Sequence, residues 1–176
     1  MSTTAGDPIA DPEGYRALLF AQLGDDDPAE VQAATPAALR ALLREAGDRV
    51  RRRPGPGRWS ALECIGHIVD AEIVSAARYR WVPAHDRPPL APYDQELWVE
   101  RLRHVDDDPD ELLTMFEGIR AANVALWRRS SADERARAGL HEERGEERLD
   151  VMFRMLAGHD RLHTAQARKA LRSASR

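Results

Sequence analysis

Prolines and charge clusters cut this chain of 176 residues into segments whose apolar residues recur at helical spacing, and that punctuation points to an all-α fold. RRRPGPGR at 51–58 is one break, Pro83, Pro88, Pro89 and Pro92 mark a second, and the acidic run ending in Asp108–Pro109 marks a third. After the first break, Ser60 and Glu63 have the spacing of a capping box and predict a helix to about Trp81. Asp108 and Pro109 enter another, with Leu112, Met115, Phe116, Ile119 and Val124 at helical spacing toward Trp127. A last helix is predicted from about Glu147 to Leu171, turning Leu149, Met152, Phe153 and Leu156 inward. Thr35 and Pro36 occupy cap and first-helical positions for Ala37 to Ala46, whose stripe is Leu39, Leu42 and Leu43. Four principal helices separated by prolyl connections pack best as an antiparallel bundle.

Shorter pieces fill the rest. GYRALLFAQLG and YDQELWVERLRHV predict short helices, the second packed by Leu97, Trp98 and Leu102. Ser130 to Glu147 reads as a loop, and no alternating run is long enough for a sheet. Residues 1–13 read as a flexible lead, and residues 14–176 as one domain.

Composition narrows the partners. The formal charge is -4, which offers no general attraction to nucleic acid or anionic lipid; the basic run at Arg49 to Gly55 lies beside prolines and reads as a solvated loop. No segment approaches the roughly 20 apolar residues of a membrane span. A single cysteine, Cys64, allows no internal disulfide, and a cytoplasmic location is the expectation. No glycine pattern forms a phosphate-cradling loop.

The chemistry concentrates in FRMLAGHDRLHTAQ. Extending the inward positions of the last helix leads to His159 and His163, four apart on one face, where two imidazoles can address one ion. In WSALECIGHIVDAE, Glu63, His67 and Asp70 share one flank of their helix, while Leu62, Ile65, Val69 and Ile73 lie around the other side. Were the two helices neighbours, three neutral imidazoles would hold a divalent ion with positions left open. The residues alone leave separately hydrogen-bonded histidines as the alternative. Trp59, Trp98 and Trp127 read as packing residues, Gln95 and Glu96 as the mouth of a pocket, and His85, His104 and His141 as exposed.

WSALECIGHIVDAE, PPLAPYDQELW and GHDRLHTAQ, in this order, resemble the DinB/YfiT-like family of metal-binding helical bundles over about residues 14–171. The resemblance implies a four-helix bundle of up-down-down-up topology with additional short connecting helices, often homodimeric. It implies His67, His159 and His163 as ligands of a divalent ion, zinc or nickel. It also implies a small-molecule substrate, and either hydrolysis or transfer to a low-molecular-weight bacterial thiol; a non-catalytic metal-binding stress or sensing protein is the alternative. Asp70, Asp160 and Glu63 are candidate catalytic helpers. A homodimer is expected because Trp98, Trp127 and the leucine stripes exceed one core.

Overall fold

A computed structural model describes residues 10–173 of the chain. Aspartates and prolines set the helix starts. Asp11 caps α1 (Pro12–Leu23), accepting from Gly14 N, and Asp27 caps α2 (Pro28–Ala46), accepting from Ala29 N and Glu30 N. α3 (Ala61–Ala84) opens with the expected capping box, in which Ser60 and Glu63 each accept from the other's backbone N–H. α4 (Gln95–Leu102) follows, then α5 (Pro109–Arg129) with Asp108 as cap, the five-residue α6 (Ala132–Ala136), and α7 (Leu149–Ser173). The expected lead over 1–13 lies mostly outside the described residues, and its last part, Pro12 and Glu13, begins α1.

Side-chain contacts fix the direction of the four long helices. Tyr79 meets Phe153 while His67 meets His159, so α3 and α7 are antiparallel. Gln32 bonds Phe153 O and Thr35 bonds Asp160, so α2 and α7 are parallel. Arg40 pairs with Glu117 and Glu30 with Arg128, so α5 opposes α2. Glu72 with Arg120, and further along Arg80 with Asn123, make α3 and α5 parallel. In chain order the bundle is therefore up-down-down-up, with α1 packed along α7. Gly158 permits that last approach, since a Cβ there would lie 2.0 Å from Leu19 O.

Two apolar clusters fill the bundle. One gathers Leu39, Leu62, Ile65, Leu113, Phe116 and Leu171, the other Tyr79, Val82, Leu149, Met152, Phe153 and Leu156. Each such side chain withdraws surface worth about 1.5–3 kcal/mol. Along α2, α5 and α7 the clusters are separated by buried polar residues, Gln32 and Thr35, Arg120 and Asn123, and His159, Asp160 and His163, while on α3 the buried His67, Asp70 and Glu72 lie where one cluster gives way to the other. No helix of the described residues is long and apolar enough to cross a membrane.

Several expectations are corrected. α2 begins eight residues before Pro36, which lies inside the helix. An internal proline withholds the N–H that would bond the carbonyl four residues earlier. That carbonyl belongs to Gln32 and accepts instead from Arg120 Nη1 at 2.9 Å, which lets the helix run through. Residues 130–147 are not simply a loop: they hold α6 and most of a small sheet of β1 (Pro89–Leu90), β2 (Ala138–His141) and β3 (Gly145–Arg148). β1 pairs parallel with β2, and β2 antiparallel with β3. Strands of two to four residues are too short for alternation to reveal. In α4, Val99 is the buried residue, while Leu97 and Leu102 are exposed, as are Ile73 in α3 and Met115 in α5. His85 is exposed as expected, but His104 and His141 are buried.

Candidate metal centre

Antiparallel packing of α3 on α7 brings His67 against His159 and His163. Ring centroids are 4.8 Å apart for His67–His159, 4.5 Å for His67–His163 and 4.3 Å for His159–His163. All three are buried. One nitrogen from each ring can be chosen so that all lie within 4.8 Å of one another, and Nε2 of His67 is 2.9 Å from Nε2 of His159.

These residues fit a divalent ion. Nitrogens about 2.0–2.1 Å from a tetrahedral ion lie roughly 3.3–3.4 Å apart, so the His67–His159 pair needs to open by only a few tenths of an ångström. Ligating imidazoles must be neutral. Burial first, then the neighbouring rings, holds His67 and His159 well below the ordinary histidine pKa, and burial takes His163 down to about 4. The Nδ1–H of His163 donates to Gln166 Oε1 at 2.8 Å, leaving Nε2 as its lone pair. Nδ1 of His67 and of His159 is buried without a hydrogen-bond partner among the described residues. Buried polar atoms are rarely left so, and here they mark rings that the protein holds in place without satisfying them itself. No carboxylate of the described residues belongs to the cluster, so a bound ion would keep most of its charge.

The carboxylates singled out in the sequence have other partners. Glu63 caps α3 through Ser60 N at 2.8 Å and pairs with Arg53; these bonds outweigh burial and lower its pKa. Asp70 bonds His104 Nε2 at 2.7 Å, and Asp107 takes the other ring nitrogen at 2.8 Å. Burial pulls the His104 pKa down, but the two acids outweigh it and raise it. The His104 ring packs where α3 has no side chain, since a Cβ on Gly66 would lie 2.3 Å from it. Asp160 turns away from the histidines to Arg120, with Oδ1 at 3.2 Å from Nη2, and accepts from Thr35 Oγ1 at 2.8 Å. Arg120 Nη2 also lies 2.8 Å from Glu72 Oε2, an ion-pair contact outside hydrogen-bonding alignment, and Asn123 Nδ2 donates to Glu72 Oε1 at 2.7 Å.

An open cleft of about 860 Å³ reaches His159 and His163, with Trp59, Gln95 and Glu96 in its lining, so the last two do border the pocket. Trp59 covers the cluster, its ring 5.1 Å from His67 and 6.2 Å from His163, and its Nε1–H donates to Glu96 at 3.2 Å. It packs, as expected, but on the histidines. Trp127 stacks on Phe153 at 4.0 Å, and Trp98 lies against Tyr93. Sequence reasoning missed Arg120, Glu72 and Asn123 altogether; the available signal was that Arg120 continues the buried stripe of Leu113 and Phe116 at helical spacing.

Comparison with known proteins agrees with this architecture. A candidate metal-dependent hydrolase of Bacillus cereus is 29% identical over 109 residues, and one from Bacillus thuringiensis subsp. konkukian is 28% identical over the same length. Each alignment covers 62% of this chain and 62% of the relative. The fold is that of YfiT from Bacillus subtilis, described as a probable metal-dependent hydrolase with an unusual four-helix bundle topology: the TM-score is 0.77 at 20% identity, over 82% of this chain and 84% of that one. The profile of the DinB superfamily matches residues 30–167, a span that contains all four long helices' polar layers and the three histidines, and the chain belongs to that superfamily.

Proposed function

We propose that the chain is a divalent-metal-dependent hydrolase of a small molecule, with His67, His159 and His163 as the ligands. The observation that carries this reading is the convergence of three neutral imidazoles, with no carboxylate among them, two of which, His159 and His163, line an open cleft. The hydrolase names borne by the similar Bacillus proteins support it. An ion in such a site lowers the pKa of bound water and polarises a carbonyl or phosphoryl oxygen. The protein's part is positional. Gln166 fixes the His163 tautomer, Trp59 shields the ligand rings from bulk water, and Asp160 holds α7 through Arg120. Asp70 acts through His104 rather than on the substrate. Nitrogen ligands suit zinc and nickel alike.

A metal-reconstituted activity screen tests the reading, with each candidate ester, amide or phosphoester incubated with and without low-molecular-weight bacterial thiols, beside His159→Ala, and products read by mass spectrometry. Metal-dependent product without thiol is expected. Product only with thiol would replace hydrolysis by S-transfer, and full metal occupancy with no turnover over a broad panel would favour the stress or sensing role. Exposed Ile73 and Trp81 on α3 support a homodimer, which sedimentation showing only monomer would refute.

A further inference from the structure

The cleft that reaches the histidines is also lined by Arg78, His141, Arg144, Glu147, Tyr15 and Tyr93, contributed by α1, α3, the β2–β3 hairpin and the segment before α4. Arg78 is only 9% exposed. Its Nη2 donates to Ala91 O at 2.7 Å, its Nε is buried without a partner, and no carboxylate of the described residues pairs with it. Glu147, the acid whose charge it senses, is held through both oxygens by Arg144, at 2.6 and 3.0 Å.

His141 is 3% exposed. Its Nδ1 accepts from Glu143 N at 3.2 Å, which places the proton of the neutral ring on Nε2, and Nε2 is buried with no partner among the described residues. Burial, then Arg144, takes its pKa down to about 4, so the ring is neutral. Burial raises the pKa of Tyr15 to about 12 and that of Tyr93 as well, so both hydroxyls keep their protons. Tyr93 also senses Tyr15, Asp70, Arg78 and Arg144, and all of these but Asp70 line the one cleft. Apart from Glu147, which is committed to Arg144, and the exposed Glu143, this wall therefore offers donors and one buried positive charge with no acid paired to it. A buried guanidinium without an acid is costly unless a ligand supplies one.

We propose that this wall is a subsite for a carboxylate on the substrate, with Arg78 as its counter-charge and His141 Nε2–H as a neutral donor. The proposal rests on reading the cleft as the substrate site and specifies what enters it. The cleft's other unpaired cations, Arg58 and Lys169, are exposed, and the one buried cation, Arg78, matches one negative charge; a phosphate dianion would keep an excess charge beside Glu147 and Glu143. Leu19, Met152, Met155 and Leu156 line the same cleft, so the carboxylate belongs on an apolar body.

Calorimetric titration of the full chain, stripped of metal by chelation, tests it, because without an ion the three neutral histidines offer no competing cation. Phenylacetate should bind at least tenfold more tightly than phenylacetamide and more tightly than inorganic phosphate. Arg78→Gln should abolish that tenfold preference while Arg78→Lys keeps part of it, with circular dichroism confirming the fold. Equal binding of acid and amide, tighter binding of phosphate, or a preference unchanged in Arg78→Gln would overturn the proposal. The acid–amide comparison on the wild-type chain decides even if Arg78→Gln does not fold. Metal titration is read separately: an ion bound with no carboxylate preference sinks the subsite alone, and a carboxylate preference without ion binding sinks the metal reading alone.

Discussion

His159 and Asp160 are neighbours on α7, yet they belong to two buried polar clusters built in opposite ways. Asp160 joins a cluster whose charges answer one another: Arg120 against Asp160 and Glu72, with Thr35, Asn123 and the Gln32 carbonyl adding hydrogen bonds, although Arg120 Nε finds no partner among the described residues. His159 joins one whose rings are neutral and whose nitrogens, apart from the Nδ1 that His163 turns to Gln166, meet one another or nothing among the described residues. Both clusters draw on α3 and α7, so burial and bundle position do not separate them. The difference is internal compensation. A compensated cluster holds helices together, whereas the proposed metal site is a cluster that leaves its nitrogens for a partner the chain itself does not supply.

The strongest way to break that contrast is to attack the compensated side. Arg120→Met leaves two buried acids without their cation and should cost about 3–5 kcal/mol in denaturant unfolding. His159→Ala, by contrast, should cost the metal-free protein under about 2 kcal/mol, because no charge is orphaned. Comparable losses in both variants would erase the distinction. On the uncompensated side, zinc or nickel at about 100 times its Kd should stabilise the wild-type chain by about 2.7 kcal/mol and leave His159→Ala unmoved, as thermal unfolding would show.

Acid sharpens the comparison further. The histidine pKa values are lower in the folded than in the unfolded protein, so unfolding takes up protons between about pH 6.5 and pH 4. Stability of the metal-free protein should therefore be full above pH 6.5 and fall on acidification. At pH 5.5 His163 alone should account for about 1.4 kcal/mol of the loss, read as the difference between wild type and His163→Ala in the stability lost from neutral pH to pH 5.5. The smallest effect should come from an exposed pair on the same helices as the network: Glu30→Gln, which breaks the contact with Arg128, should change stability by under about 1 kcal/mol.

What could be read beforehand follows the range of the interaction. The Ser60–Glu63 box, the Asp108–Pro109 entry and the His159–His163 spacing are local, and each lies where the sequence places it. Two Asp/Thr–Pro pairs competed to start α2, and local pattern does not choose between Asp27–Pro28 and Thr35–Pro36; the choice was made by Arg120, 84 positions from Pro36 in the chain, through the Gln32 carbonyl 88 positions away from it. His104 and His141 look exposed when only their polar neighbours in sequence are weighed. Gly66 and the β2–β3 pairing, which bury them, are tertiary. The meeting of His67 with the α7 pair is likewise a matter of helix order, which the sequence supplied only through family resemblance.

Pro36 and Arg120 also bear on how the molecule comes apart. A helix interrupted by proline has one carbonyl that only another segment can satisfy, so α2 is incomplete until α5 docks. The same guanidinium grips Asp160 of α7 and Glu72 of α3, which ties four helices into one opening event rather than four. Amide protons on either side of this layer in α2 and α5 should then exchange together, at the rate of global unfolding, while those of α6, which buries no residue, exchange early. The proline thus makes the folding of α2 conditional on assembly, a form of cooperativity written into one missing hydrogen.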